Sequence, residues 1–119
     1  MTVPRPPIHP AIAAAQESFN ADLVDEVAKA VASEQVVVVG VSGLQPGTRA
    51  RRLLDEQKIA YRYLQYGSYF SGWRRRLALK IWVGWPTFPL VFVKGTFVGG
   101  ASDLQKLIES GELKTLLAA

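Results

Sequence analysis

Residues 35–42, QVVVVGVS, form a nearly uninterrupted run of β-branched apolar side chains. A run this short and this apolar is typical of a β-strand that is covered on both faces, because successive side chains of a strand point to opposite sides. The run therefore requires a layer of structure on each side of the sheet. With 119 residues, 49% of them apolar, the chain is large enough for one such domain and too small for two.

The rest of the sequence predicts helices and strands that alternate along the chain. Apolar residues recur at helical spacing before the first strand, between the first three strands and after the last one, and Asn20 followed by Asp22 leaves open that the first helix is two helices. Lys94-Gly95 is a two-residue hairpin signal between two short apolar runs. The order predicts an α/β sandwich around a four-stranded mixed sheet. The predicted elements are helix 11–33, strand 35–42, loop 43–47, helix 47–57, strand 60–66, helix 71–83, strand 89–93, strand 96–98 and a last helix that is interrupted at Gly111.

The sequence predicts which face of one helix is buried and where another helix begins. In the helix before the hairpin, Trp73, Leu77 and Ile81 recur at every fourth residue, which predicts that they face the core. Ser102 followed by Gln105 fits a capping box, which predicts that the last helix begins at Ser102.

The absence of cysteine excludes thiol chemistry. With zero Cys, the chain supplies no disulfide, no thiolate nucleophile and no thiolate ligand for zinc or an iron–sulfur cluster. Its single histidine, His9, stands in a proline-rich arm without a partner for acid–base chemistry. Taken alone, the residues indicate no enzyme and no metal site.

No segment predicts a membrane span or a secretion signal. The longest apolar run, VVVVGV at residues 36–41, is far shorter than the roughly 20 residues that span a bilayer. The prolines of MTVPRPPIHP interrupt the helical apolar stretch that a signal peptide needs. We therefore expect no membrane association and a cytoplasmic location.

The basic residues leave three interpretations open. One predicted helix carries Arg74, Arg75, Arg76 and Lys80, another carries Arg49, Arg51 and Arg52 largely on its outward side, and the net charge of the chain is +4. The simplest interpretation is a solvated helix face. Nucleic-acid binding is disfavoured, because no aromatic stacking platform accompanies the arginines. The third interpretation is a small carboxylate ligand, since Arg76 and Lys80 are four residues apart and share one helix face.

Residues 85–89, WPTFP, and residues 97–100, FVGG, resemble the corresponding motifs of the glutaredoxins, and within them those of the monothiol class. The similarity runs through most of residues 35–117. The resemblance implies a thioredoxin-like (glutaredoxin) α/β fold. It also implies a division into a proline-rich arm with an N-terminal helical extension, residues 1–34, and a glutaredoxin-like domain, residues 35–119.

The resemblance further implies a groove for glutathione. In the family the proline of this motif is cis, which turns the Phe88 backbone outward to pair with the cysteinyl part of glutathione. Arg76 and Lys80 would hold the glycyl carboxylate, and the turn that opens the last helix would hold the γ-glutamyl carboxylate on N–H groups. The implied binding residues are Arg76, Lys80, Thr87, Phe88, Pro89, Gly100, Ala101 and Ser102.

The sequence departs from the family at the reactive centre. The resemblance aligns Leu44, Gln45, Pro46 and Gly47 with the Cys-Gly-Phe-Ser of monothiol glutaredoxins, and Ala101-Ser102 with a cysteine–aspartate pair. Thiol–disulfide exchange requires a thiolate, so the cysteine count excludes it whatever the alignment. We therefore expect no catalytic residues and a non-catalytic protein that retains part of a glutathione-binding groove.

Three alternatives stay open beside this expectation. One is a protein-interaction scaffold without a small-molecule ligand, since monothiol glutaredoxins pair with BolA-family proteins and with themselves. Another is residual enzyme activity in which bound glutathione supplies the sulfur. The third is that WPTFP is retained for the fold alone. The oligomeric state and the physiological partner are left open by the sequence.

Overall fold

The computed structural model of the protein describes residues 4, 6–42, 45–68 and 73–118. Within these residues the predicted α/β sandwich with a four-stranded mixed sheet is confirmed. No helix in the described ranges is long and apolar enough to cross a membrane. The elements are α1 Pro10–Ser18, α2 Ala21–Ser33, β1 Val36–Ser42, α3 Gln45–Glu56, β2 Arg62–Ser68, α4 Trp73–Val83, β3 Leu90–Val93, β4 Thr96–Gly99, α5 Ala101–Ser110 and α6 Glu112–Ala118.

The sheet has the strand order β2-β1-β3-β4. Strand β1 pairs in parallel with β2 and antiparallel with β3, and β3 pairs antiparallel with β4. Val37 and Val39 point into the core on one face of the sheet, while Val36 and Val38 point into the core on the other. All four are at most 1% exposed, which confirms the prediction of a strand buried on both faces.

Helices α2 and α4 cover one face of the sheet, and α3, α5 and α6 cover the other. Helix α2 contributes Leu23, Val27, Ala30 and Val31 to the buried core. The face of α2 is thus part of the main core, although the sequence assigned this helix to an extension. The division of the chain at residue 34 stays a prediction.

The first predicted helix is two helices, which was the alternative left open by Asn20. The break lies at Asn20, whose φ of 48° is in the left-handed region. Asn tolerates this conformation better than most residues.

The hairpin between β3 and β4 is confirmed. Lys94 and Gly95 have φ values of 52° and 80°. Positive φ at both central residues is the geometry that suits the twist of a two-residue hairpin, and glycine adopts it without steric cost. The hairpin sets β4, and therefore the start of α5, beside β3.

The predicted buried face of α4 is wrong. Leu77 is 38% exposed and Ile81 is 62% exposed, whereas Ala78 and Leu79 are buried. The reason is that α4 is rotated so that Arg76 points inward, where its Nη1 donates to the carbonyl of Tyr66 on β2 at 3.3 Å. Residue 71, where the predicted helix begins, and the side chain of Trp73 lie outside what the structure describes.

Two predicted helix starts are also corrected. Helix α3 begins at Gln45, so Gln45, Pro46 and Gly47 form its first turn and are not a loop. Proline is well tolerated in a first helical turn, because its missing N–H would have no partner there in any case. Helix α5 begins at Ala101, one residue before the predicted start, and Asp103 takes the capping role predicted for Gln105.

Candidate functional site

A cleft of about 680 Å³ opens where the first half of α3 faces the start of α5 and the loop that precedes β3. Six of the eight residues that the sequence implied for ligand binding line it. The structure adds five more, from α3, from the proline loop (residues 85–89) and from the first turn of α5. The lining residues are Thr48, Arg49, Arg52, Trp85, Thr87, Phe88, Pro89, Gly100, Ala101, Ser102 and Asp103.

The proline loop forms one wall of the cleft. The Phe88–Pro89 peptide bond is cis, as the resemblance implied. Pro89 is buried and Thr87 is exposed, and both residues line the cleft. The ring of Trp85, the first residue of this loop, packs edge-on against Phe97 of β4 with centroids 5.6 Å apart. This aromatic contact joins the loop to β4.

The turn that opens α5 forms the opposite wall. The Asp103 carboxylate accepts a hydrogen bond from the Gly100 N–H at 3.0 Å. Gly99 has a φ of 101°, and a Cβ atom at that position would collide with the same carboxylate. The first N–H groups of a helix have no intrahelical partner, so this turn directs backbone donors toward the cleft.

Two arginines of α3 complete the cleft, and the sequence did not assign them to it. The sequence placed Arg49 and Arg52 largely on the solvent side of α3, and both are exposed, but both line the cleft. Arg49 Nη1 donates to Ser102 Oγ at 3.3 Å across a separation of 53 residues. The signal that was available is their spacing of three, which places them on one helix face.

The charges of the cleft favour an anion. Among the described residues that line it, the ionisable ones are Arg49, Arg52 and Asp103, and the Asp103 carboxylate already accepts from the Gly100 N–H. Two guanidinium groups therefore outnumber one hydrogen-bonded carboxylate. Arginine presents a planar set of donors that matches a carboxylate or a phosphate.

The third arginine of α3 has a different role. Arg51 lies over the ring of Tyr63, 4.2 Å from its centroid. A hydrogen bond with the Tyr61 side chain is the largest cause that raises the pKa of Arg51 above its usual value. Arg51 thus connects α3 to Tyr61 and to Tyr63 of β2. Arg49 and Arg52 are the arginines of α3 that line the cleft.

Two residues implied by the resemblance do not line the cleft. Lys80 Nζ lies 5.6 Å from the centroid of the Phe88 ring, so this cation borders the proline loop. Arg76 is only 8% exposed and is bonded to the Tyr66 carbonyl. Of the four residues that the resemblance aligns with the Cys-Gly-Phe-Ser of monothiol glutaredoxins, Leu44 lies outside the described residues, and Gln45 to Gly47 are the first turn of α3.

Comparison with known proteins identifies the family. The family model described as Glutaredoxin matches residues 36–98, which is more than half of the chain. The chain belongs to the glutaredoxin family. A glutaredoxin-like protein of Dictyostelium discoideum is 40% identical to this glutaredoxin-like chain over 96 residues, which cover 81% of this chain and 78% of that protein.

Two further matches show how the similarity is distributed. Monothiol glutaredoxin-4 of Schizosaccharomyces pombe is 40% identical over 65 residues, which cover 55% of this chain and 25% of that longer protein. The crystal structure of a buckwheat glutaredoxin–glutathione complex superposes with a TM-score of 0.73 at 22% identity, covering 86% of this chain and 93% of that one. The thioredoxin-like fold is thereby confirmed, in a glutaredoxin-like chain that contains no cysteine.

Proposed function

We propose that this protein is a non-catalytic member of its family, whose cleft binds glutathione or a similar small acidic peptide without acting on its sulfur. The observation that carries the proposal is the composition of the cleft. The proline loop, the start of α5 and two arginines meet around about 680 Å³, in a chain that has zero Cys. The buckwheat relative of the same fold was crystallised with glutathione.

In the proposed complex, the γ-glutamyl carboxylate lies at the start of α5. There the N–H groups of Ala101 and Ser102 would donate to it, and Arg49 would supply a positive charge from the facing helix. Arg49 already reaches Ser102 Oγ at 3.3 Å, so its guanidinium is close to this position.

The rest of the peptide would run along the proline loop toward Lys80. The exposed edge at Thr87 and Phe88 would pair with the peptide backbone, in the manner of an added strand. Lys80, beside the Phe88 ring, would attract the glycyl carboxylate. The sulfur of the ligand would meet no protein thiol, so no electrons are transferred.

The proposal is tested by titrating the full-length protein with glutathione and with S-methylglutathione, followed by NMR and calorimetry. We expect saturable binding of both ligands with similar dissociation constants, because nothing in the site reacts with the thiol. A constant near 1 mM corresponds to about −4 kcal/mol. Amide shifts should concentrate at Thr87, Phe88, Ala101 and Ser102. The absence of shifts there at millimolar glutathione would contradict the proposal.

The non-catalytic part of the proposal has its own assay. Reduction of hydroxyethyl disulfide by glutathione should proceed at the same rate with and without the protein, because an attacking thiolate is required and the chain has none. Turnover above the uncatalysed rate would mean that bound glutathione itself carries out the exchange. The proposal that the protein is non-catalytic would then be wrong.

A further inference from the structure

A second concave surface lies on the opposite side of the sheet from the α5 helix. It is a groove of about 1020 Å³ between α1, α2 and α4, which we call the helical groove. None of its described lining residues is shared with the cleft described above. These residues belong to the three helices and to Phe19, which lies between α1 and α2.

The floor of the helical groove exposes large apolar side chains. Ile12 is 56% exposed, Ile81 is 62% exposed and Trp82 is 42% exposed. The indole of Trp82 is not loose, because it packs against Phe92 of the core with ring centroids 5.9 Å apart. A contiguous apolar surface with a fixed aromatic anchor is typical of a site that another protein covers.

Helix α1 lacks the packing that would stabilise it. It has nine residues, and none of them is buried. Isolated helices shorter than about 12–15 residues are marginal in water and depend on an apolar face that packs against something. The groove-lining side chains of α1, Ile12 and Ala15, would gain that packing if the groove were filled.

The charge of the groove indicates the kind of partner. Glu17, Asp22 and Asp25 line it on the side of α1 and α2, and no Lys or Arg stands among the described residues that line it. Lys29 pairs with Asp25 at 2.9 Å and offsets part of this charge. The rim is nevertheless acidic in a chain whose net charge is +4. The acidic rim therefore favours a partner that carries basic residues beside its apolar surface.

We propose that the helical groove binds an amphipathic helix of another protein, whose apolar stripe packs on Ile81 and Trp82 and whose flanking Lys or Arg residues face the acidic rim. A groove bounded by helices accepts a helix through apolar residues spaced by three and four positions. Binding would bury the exposed side of α4 and supply the packing that α1 lacks. The inference is independent of what the cleft binds.

The test uses the full-length protein and two synthetic amidated peptides with leucine at helical positions i, i+3, i+4 and i+7. One peptide carries lysine at all other positions, and its matched control carries glutamate there. By fluorescence anisotropy, the lysine peptide should bind saturably and at least about tenfold more tightly than the glutamate peptide, a difference of about 1.4 kcal/mol. Equal binding of the two peptides would overturn the assignment of a basic partner.

Three variants place the binding on this surface. Trp82→Ala and Ile81→Ser should each weaken the lysine peptide by about tenfold or more, because anchors of an interface carry most of its binding energy. Leu77→Ser is the matched control, since Leu77 is 38% exposed on the same helix but does not line the groove. Ile81 is the most exposed of the three, so Ile81→Ser should leave the thermal midpoint unchanged even if Trp82→Ala lowers it.

Hydrogen exchange gives a readout that does not depend on mutation. Amides of α1 should exchange quickly in the free protein and become protected in the presence of the lysine peptide, because marginal helices open readily. Unchanged exchange in α1, or binding that Ile81→Ser leaves intact, would overturn the proposal. So would concentration-dependent dimerisation that Ile81→Ser abolishes, because the occupant would then be a second copy of this chain.

Discussion

Asp103 holds the turn from which the cleft's backbone donors project. Its carboxylate caps the Gly100 N–H at 3.0 Å and lies against Gly99, where only a residue without a Cβ atom fits. An acidic side chain in the first turn also interacts favourably with the positive end of the helix dipole. One carboxylate therefore stabilises α5 and shapes the wall of the cleft.

Removing this cap should loosen the start of α5. Asp103→Ala is expected to lower the free energy of unfolding by about 0.5–2 kcal/mol, which is the usual cost of a lost helix cap. Urea denaturation measures it, with Lys106→Ala, an exposed change on the same helix, as the control. A loss no larger than that of the control would mean that the hydrogen bond to Gly100 contributes nothing to stability.

Arg52 lines the cleft, and among the described residues its charge has no hydrogen bond or ion pair within the fold. Arg52→Gln should weaken glutathione binding by up to about fivefold, since exposed ion pairs contribute about 0.2–1 kcal/mol. The difference should shrink at high salt, where exposed charges are screened. Calorimetry with Arg62→Gln, an exposed arginine of β2 that does not line the cleft, provides the comparison.

At the scale of elements, the parallel pair of strands β1 and β2 contains one close approach. Gly40 of β1 leaves room for Tyr63 of β2, because a Cβ atom at residue 40 would lie 2.6 Å from Tyr63 Oη and 3.0 Å from its Cε1. Arg51 of α3 lies over this ring, 4.2 Å from its centroid. The tyrosine is therefore close to both β1 and α3.

A double-mutant cycle tests this contact between β1 and β2. Gly40→Ala should destabilise the protein by about 1–3 kcal/mol through overpacking. In a Tyr63→Val background the same substitution should cost less, by more than about 0.5 kcal/mol, because the obstructing ring is gone. Chemical denaturation of all four proteins gives the coupling energy, and strict additivity would show that the two residues do not interfere.

At the scale of the whole molecule, the two N-terminal helices differ in what they contribute. Helix α1 buries no side chain, whereas α2 places Leu23, Val27 and Val31 in the main core. Each such side chain stabilises the fold by about 1.5–3 kcal/mol when it is buried. Together they approach the 5–15 kcal/mol that separates folded from unfolded in a typical domain.

Two truncations should therefore behave differently. Deletion of residues 1–18 is expected to leave the midpoint of urea unfolding nearly unchanged, while deletion of residues 1–34 should abolish the cooperative transition. Circular dichroism during denaturation distinguishes them. A folded, cooperative fragment 35–119 would support the boundary predicted at residue 34 and would show that the α2 face is dispensable.

Much of the fold could be predicted, because it depends on neighbours in the sequence. The run at residues 36–39 needs cover on both faces wherever it lies, and Lys94-Gly95 turns the chain by its own backbone preferences. Helix α4 was predicted less well. Its four-residue apolar spacing is compatible with more than one rotation, and the hydrogen bond between Arg76 and the Tyr66 carbonyl accompanies the observed one.

Without any coordinates, the sequence establishes that the chain itself contributes no cysteine thiol, since zero Cys holds in any conformation. It also determined the order of elements and, through the family resemblance, most of the cleft's wall. Only the tertiary structure brought Arg49 to Ser102 and exposed Ile81 and Trp82 beside the acidic rim of α1 and α2. These contacts bring together residues that are far apart in the chain, so they depend on how the layers pack and not on local spacing.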